Sequence, residues 1–175
     1  MKVLLALVAV ACLANGALAT CLPKRVECGG NSGRCPSGFG RWGNMCYRYV
    51  AREMTFSQAA DYCKNLRGIC NRGDGHLLPT RVADENNAGL QAYKNACIKS
   101  AVDSFWIGYK DSSKEGTWQS VSSLARSYRY YNWANGNGGN SGSKDCAAMR
   151  PDGKWIADDC GKKKPFICRI IRTNH

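Results

Sequence analysis

Eleven cysteines in 175 residues constrain this chain more than any other feature, because cross-links decide which segments must lie together. One of them, Cys12, falls in an apolar run, Val3 to Ala14, that follows Lys2 and precedes the small-x-small pattern Ala17-Leu18-Ala19. The run is too short to cross a bilayer, and its flanks read as a signal peptide over residues 1–19, cut before Thr20. The other ten cysteines are even in number, which in a secreted chain points to disulfides. Zinc is the competing use of cysteine. No Cys-x-x-Cys pair occurs, however, and the two histidines, His76 and His175, stand in no ligand spacing with a cysteine. The expected location is extracellular, with no transmembrane segment.

Charge narrows the partners. Lys and Arg number 25 against 13 Asp and Glu, a formal net charge of +12, and 44% of residues are hydrophobic. That composition supplies a core and excludes a disordered or collagen-like chain. A basic protein outside the cell meets sulfated or sialylated glycans, anionic lipid surfaces and acidic matrix polymers rather than nucleic acid. The bland alternative is that the charge serves solubility alone.

Residues 20–34 carry Pro, Gly and two cysteines without apolar periodicity and read as an extension. A compact region is expected over 35–171, followed by a tail, 172–175. Cys46 to Val50 alternates like a strand. Thr55 is a plausible N-cap for a helix with Phe56, Ala59, Ala60, Cys63 and Leu66 at helical spacing, ending near Gly68. A second helix is expected from Asp84-Glu85 through Leu90, Tyr93 and Cys97, its acids at the favourable end of the dipole. Beyond Ser100 short strand-like pieces follow: Ser104–Tyr109, Thr117-Trp118, Tyr128–Tyr131, Cys146–Met149, Lys154–Ile156 and Phe166–Ile171. A loop of Asn, Gly and Ser separates Tyr131 from Asp145. Two helices followed by short strands make an α+β arrangement.

Phe105-Trp106-Ile107-Gly108, Asn132-Trp133, Asp145-Cys146, Lys154-Trp155, Cys160 and Pro165-Phe166-Ile167-Cys168 occur in an order and spacing that resemble a C-type lectin-like domain. Cys35-Pro36 at its opening and Cys63 on the first helix extend the likeness to roughly four-fifths of the chain. The resemblance implies two helices, short antiparallel sheets and a long loop, with bridges Cys35–Cys46, Cys63–Cys168 and Cys146–Cys160. Cys21, Cys28, Cys70 and Cys97 remain. The expectation for them is Cys21–Cys28 and Cys70–Cys97, with an intermolecular bridge through the first pair as the alternative. Trp106, Trp155 and Phe166 read as core aromatics rather than ligand platforms.

Sugar-binding members of that family hold calcium and sugar hydroxyls together through a Glu-Pro-Asn or Gln-Pro-Asp tripeptide, an acid before the next cysteine and a Trp-Asn-Asp triplet. Calcium needs six to eight oxygens and gains affinity from ligand charge. Here the tripeptide reads Asn137-Gly138-Gly139, Ile156-Ala157 follow Trp155, and Lys144 stands where an extra glutamate is usual. Asp145 and the side-chain oxygens of Asn137 and Asn140 are the donors left, too little charge for a tight site. Asp158 and Asp159 are weak further candidates, because adjacent strand carboxylates point to opposite faces. No cofactor is therefore expected.

Two short motifs carry bland readings beside functional ones. Lys162-Lys163-Lys164 is either a solvated turn or the most concentrated positive patch in the chain. Arg72-Gly73-Asp74 has the form of an adhesion tripeptide, but a Gly turn between helix and strand explains it as well. Catalysis is not expected: no GxSxG or HExxH occurs, and His76 sits beside Leu77-Leu78 with no nucleophile motif.

The sequence thus points to a secreted recognition module for carbohydrate or other polyanionic ligands, working without the usual calcium site. Its candidate contacts are Trp133, Asn137, Asn140, Lys144, Asp145, Lys162, Lys163 and Lys164. A matrix protein of a mineralised tissue, meeting a mineral surface, is the alternative, and Cys70 after the first helix resembles the pattern of spicule matrix proteins. Adhesion to a cell-surface receptor through Arg72-Gly73-Asp74 is a third reading.

Overall fold

The computed structural model describes residues 35–36, 38–70, 75–96, 102–122, 130–136, 138 and 142–171, with side chains of the first helix as far as Leu66. Among the described residues eight strands and two helices run in the order β1 (Gly40–Trp42), β2 (Met45–Met54), α1 (Phe56–Cys70), β3 (Gly75–Leu77), α2 (Ala83–Lys94), β4 (Phe105–Lys110), β5 (Gln119–Ser120), β6 (Cys146–Met149), β7 (Trp155–Asp158) and β8 (Lys164–Ile171). The strands join in the order β1-β2-β8-β4-β6-β7, with β3 on β8 and β5 on β4. Neighbours pair antiparallel except β4 and β8, which meet in parallel at Trp106 and Phe166. This is the expected α+β class, in one mixed sheet.

α1 begins where its sequence says it should. Gln58 N donates to Thr55 Oγ1 at 3.4 Å and Thr55 N donates back to Gln58 Oε1 at 3.2 Å, a reciprocal capping box that satisfies two otherwise orphaned donors. Phe56, Ala59, Cys63 and Leu66 then turn inward at helical spacing. α2 starts one residue before Asp84 and stops at Lys94, short of Cys97, with Asn95 N donating to Gln91 O at 2.9 Å and Ala96 N to Tyr93 O at 3.1 Å. Glu85 folds back over its N-terminus, accepting from Arg81 N at 2.6 Å and pairing with the Arg81 guanidinium.

The core has two faces. One gathers Phe56, Leu66, Leu77, Trp106, Phe166 and Ile170 under α1, and the other gathers Tyr49, Leu78, Phe105, Ile107, Tyr109 and Trp155 under α2. Trp106, Trp155 and Phe166 are core residues, each essentially without solvent contact. Their polar atoms are satisfied from the chain: Trp106 Nε1 donates to Met54 O at 3.0 Å, and Trp155 Nε1 to Asn86 Oδ1 at 2.7 Å. Burial pushes the Tyr109 phenol up to about 12, so it stays a neutral donor to the carbonyls of Pro79 and Thr80.

Three disulfides join described residues: Cys35–Cys46, Cys63–Cys168 and Cys146–Cys160. Cys63–Cys168 ties α1 to β8 across 105 residues of sequence. Two strand expectations need correction. The strand near Thr117-Trp118 lies instead at Gln119–Ser120, because Trp118 leaves the ladder to pack on Trp133. Tyr130 and Tyr131 are in no strand, their rings standing against Trp155. Tyr128 lies outside the described residues.

Candidate functional site

The long segment between β5 and β6 comes back to the sheet at two places. Trp133 bridges Trp155, the first residue of β7, with Ala134 N donating to Trp155 O at 2.9 Å and Trp155 N to Asn132 O at 2.8 Å. Further along, Asp145 O accepts from Asp111 N at 3.1 Å, and the next residue, Cys146, faces Asp158 at the other end of β7. The two limbs of the loop therefore bracket the outermost strand of the sheet path. Between them β7 presents Ile156 and Ala157.

Aromatic packing holds the first limb. The Trp133 ring lies 4.5 Å from Trp118 and 5.3 Å from Trp155, and Tyr131 stacks beside it at 6.4 Å with the planes 21° apart. Trp133 is 8% exposed, so it supports the loop from beneath, whereas Tyr131 is 40% exposed and offers a ring to solvent. The Tyr131 hydroxyl donates to Trp118 O at 3.2 Å, which fixes the ring's tilt. Gly138 closes over the pair in the left-handed region, φ +82°, where a Cβ would sit 2.6 Å from Trp118 Nε1.

Polar contacts clamp the same limb. Asn132 Nδ2 donates to Gly153 O at 2.8 Å and Asn132 Oδ1 accepts from Lys154 Nζ at 2.9 Å. Gly153 O also accepts from Asn86 of α2 at 3.3 Å, so the loop, the β6–β7 turn and α2 share one carbonyl. That turn carries an Arg150–Asp152 ion pair, which holds the Asp152 carboxyl below its ordinary range.

At the far end of β7 the carboxylates are already committed. Asp158 Oδ1 lies 2.7 Å from Lys162 Nζ and Oδ2 lies 2.9 Å from Lys164 Nζ. Burial opposes its charge, but the hydrogen bonds from Lys162, Lys164 and Asp159 N outweigh that, and its pKa falls below the ordinary 3.8. Asp159 is exposed and caps the turn by accepting from Gly161 N at 2.8 Å. Asp145 is half-buried, with Oδ1 inside and unbonded. Among the described residues no three His, Cys, Asp or Glu side chains come together. With apolar Ile156 and Ala157 at the centre and Asp158 held by two ammonium groups, the described residues do not fit a calcium ion.

The structure also divides the lysine run. Lys164 is turned inward, 14% exposed, with its ammonium donating to Ser104 Oγ at 2.7 Å and lying over the Trp106 ring at 5.4 Å. Of the three lysines it is the one whose ammonium is engaged inside the fold. Lys162 stays 58% exposed although paired, and Lys163 and Lys144 are exposed. Asn137, Asn140, Arg72-Gly73-Asp74 and the sulfurs of Cys21, Cys28, Cys70 and Cys97 lie outside what the structure describes. Tyr131 and Lys154 are absent from the contacts expected from sequence, and Asn132 belongs to the expected binding loop, Asn132 to Lys144, without being named as a contact. The signal for them is their adjacency to Trp133 and Trp155, because a residue beside a buried tryptophan at a strand edge is held with it.

A family model described as the lectin C-type domain matches residues 52–170. Perlucin of Haliotis laevigata is 31% identical over 147 residues, covering 80% of this chain and 87% of that protein. Echinoidin of Heliocidaris crassispina is 25% identical over 146 residues, covering 79% of this chain and 97% of that protein. Among solved structures, the carbohydrate-recognition domain of a mouse scavenger receptor C-type lectin superposes with a TM-score of 0.65 at 25% identity, over 80% of this chain and all of that one. The span matched by the family model takes in the strand edge, the aromatic stack and the bridges Cys63–Cys168 and Cys146–Cys160, and the chain belongs to the C-type lectin domain family.

Proposed function

We propose that this chain is an extracellular, non-enzymatic recognition module that binds carbohydrate or other polyanionic ligands at the loop edge of β7 without calcium. The observation that carries the reading is the edge itself. Ile156 and Ala157 occupy its centre, Asp158 is engaged by Lys162 and Lys164, and beside them the exposed Tyr131 ring rests on the Trp118–Trp133 pair. A pyranose face packs on such a ring, and its hydroxyls reach the amide of Asn132 and the ammonium of Lys154. Lys144 adds a charge-assisted bond to sulfate or carboxylate, and the amides of Asn137 and Asn140 are further candidate contacts to ligand hydroxyls. In this reading residues 1–19 direct export, 20–34 are an extension and 35–171 form the recognition domain.

The test is a glycan array at physiological salt, run with calcium and with chelator, on the wild type and on Tyr131→Ala. Binding that ignores chelator and falls in Tyr131→Ala supports the proposal. Binding to neutral sugars that chelator abolishes overturns its calcium clause, and a blank array transfers the ligand to a mineral or protein partner.

A further inference from the structure

A second concave surface lies away from the loop limb, where the end of β2, the first half of α1 and the β7–β8 turn meet. It encloses about 460 Å³ and is lined in part by Arg52, Glu53, Asp61, Tyr62, Asn65 and Lys163. Its origin is a break in the ladder. Val50 pairs with Phe166 and Met54 with Lys164, so three β2 residues stand opposite Pro165 alone. Proline has no N–H to give the ladder, and the β2 strand bulges there. The bulge matters because consecutive strand residues ordinarily face opposite sides, whereas Arg52 and Glu53 are both exposed.

Four charged side chains of the groove, Arg52 and Lys163 against Glu53 and Asp61, form no ion pair or side-chain hydrogen bond with one another or with any other described residue. Opposite charges lining one groove yet unpaired keep their hydrogen-bonding capacity for something else. Their balance also selects the ligand. A densely sulfated or phosphorylated chain meets two carboxylates there and is repelled. A neutral sugar leaves both cations unused. The Tyr62 ring, packed edge-on against Phe166 at 5.3 Å, is held as a partly exposed apolar wall.

We propose that this groove is a second saccharide site that takes an acidic sugar unit bearing one carboxylate and several hydroxyls, such as a hexuronate residue. Arg52 and Lys163 bind its carboxylate, Glu53 and Asp61 accept from its hydroxyls, and the ring lies along Tyr62. Arg52, Asp61 and Tyr62, on β2 and α1, are not among the contacts of the β7 edge, so variants at them leave that site in place.

The experiment titrates the full chain by calorimetry with a hyaluronan tetrasaccharide, which carries carboxylates and no sulfate, and with a chitin tetrasaccharide as the neutral control. The expected result, measured in a Tyr131→Ala background that removes the loop-edge contact, is hyaluronan binding that weakens about tenfold on adding Arg52→Gln and likewise on adding Asp61→Asn, with an unchanged thermal midpoint. Absence of hyaluronan binding overturns the proposal. Tighter binding in Asp61→Asn overturns it too, because the groove is then a plain cation patch. Loss in Tyr131→Ala with no effect of Arg52→Gln or Asp61→Asn assigns the ligand to the loop edge and overturns the second site while leaving the first reading intact.

Discussion

At the scale of single residues, the loop's anchor depends on one position having no side chain. Gly138 sits at φ +82°, and a methyl there would meet Trp118 Nε1 at 2.6 Å and Trp133 Cε2 at 2.7 Å. Gly138→Ala combines a disfavoured backbone with a steric conflict against two rings that cannot yield. We expect a loss of about 2 kcal/mol in stability together with a changed near-ultraviolet circular dichroism spectrum, because the Trp118–Trp133 pair must separate. An unaltered spectrum and midpoint would show that the loop closes differently. Asp158 gives a pH prediction. Its folded pKa is depressed below 3.8, so its contribution is present above the unfolded value and disappears as pH falls through the folded one. Asp158→Asn should therefore lower stability at pH 7 and flatten the acid limb of a stability profile below about pH 4. Equal slopes for the two proteins in that range would contradict the pairing. Residue roles of this kind are partly legible in the sequence. Trp106 and Trp155 announce themselves as core by their motifs, but Lys162, Lys163 and Lys164 look identical in sequence and differ only in what each ammonium reaches.

The elements show why. α1 is readable from Thr55 onward because a cap and an apolar period are both local signals, and β6 matches residue for residue. β2 runs on to Met54, beyond the expected Val50, since the bulge opposite Pro165 is a property of two strands together and leaves no mark on either alone. The same pairing decides the β7–β8 turn, where β8 begins with Lys164 facing Asp158 and Ser104 rather than solvent. Lys164→Gln and Lys163→Gln consequently separate stability from binding. The first removes an inward ammonium from Asp158 and Ser104 and is expected to cost about 1–3 kcal/mol with little direct effect on ligand contacts. The second leaves the thermal midpoint unchanged and weakens acidic-saccharide binding. Thermal denaturation and calorimetry on both variants check the split, and a loss of stability in Lys163→Gln would mean that the turn is built otherwise. The loop limbs are the least legible part. Their attachment rests on Trp133 meeting Trp155 and on Asn132 sharing Gly153 O with Asn86, contacts between segments whose spacing in sequence says nothing about their meeting.

For the molecule as a whole, the charge governs how ligands arrive rather than how they are held. At +12 the chain sets up a field that attracts any polyanion at long range, and at the β7 edge Asp158 is already engaged by Lys162 and Lys164. Salt screens such a field over about 8 Å at physiological ionic strength, so association is sensitive to salt while packing on Tyr131 is not. For an acidic polysaccharide the association rate should fall by about tenfold between ~20 mM and ~300 mM salt, with the dissociation rate changing far less. For a neutral tetrasaccharide neither rate should move. Surface-binding kinetics on both ligands across that series test the division. An association rate flat in salt would show that the net charge serves solubility alone, and a dissociation rate that climbs with salt for the neutral sugar would place charge, not the ring, at the point of contact.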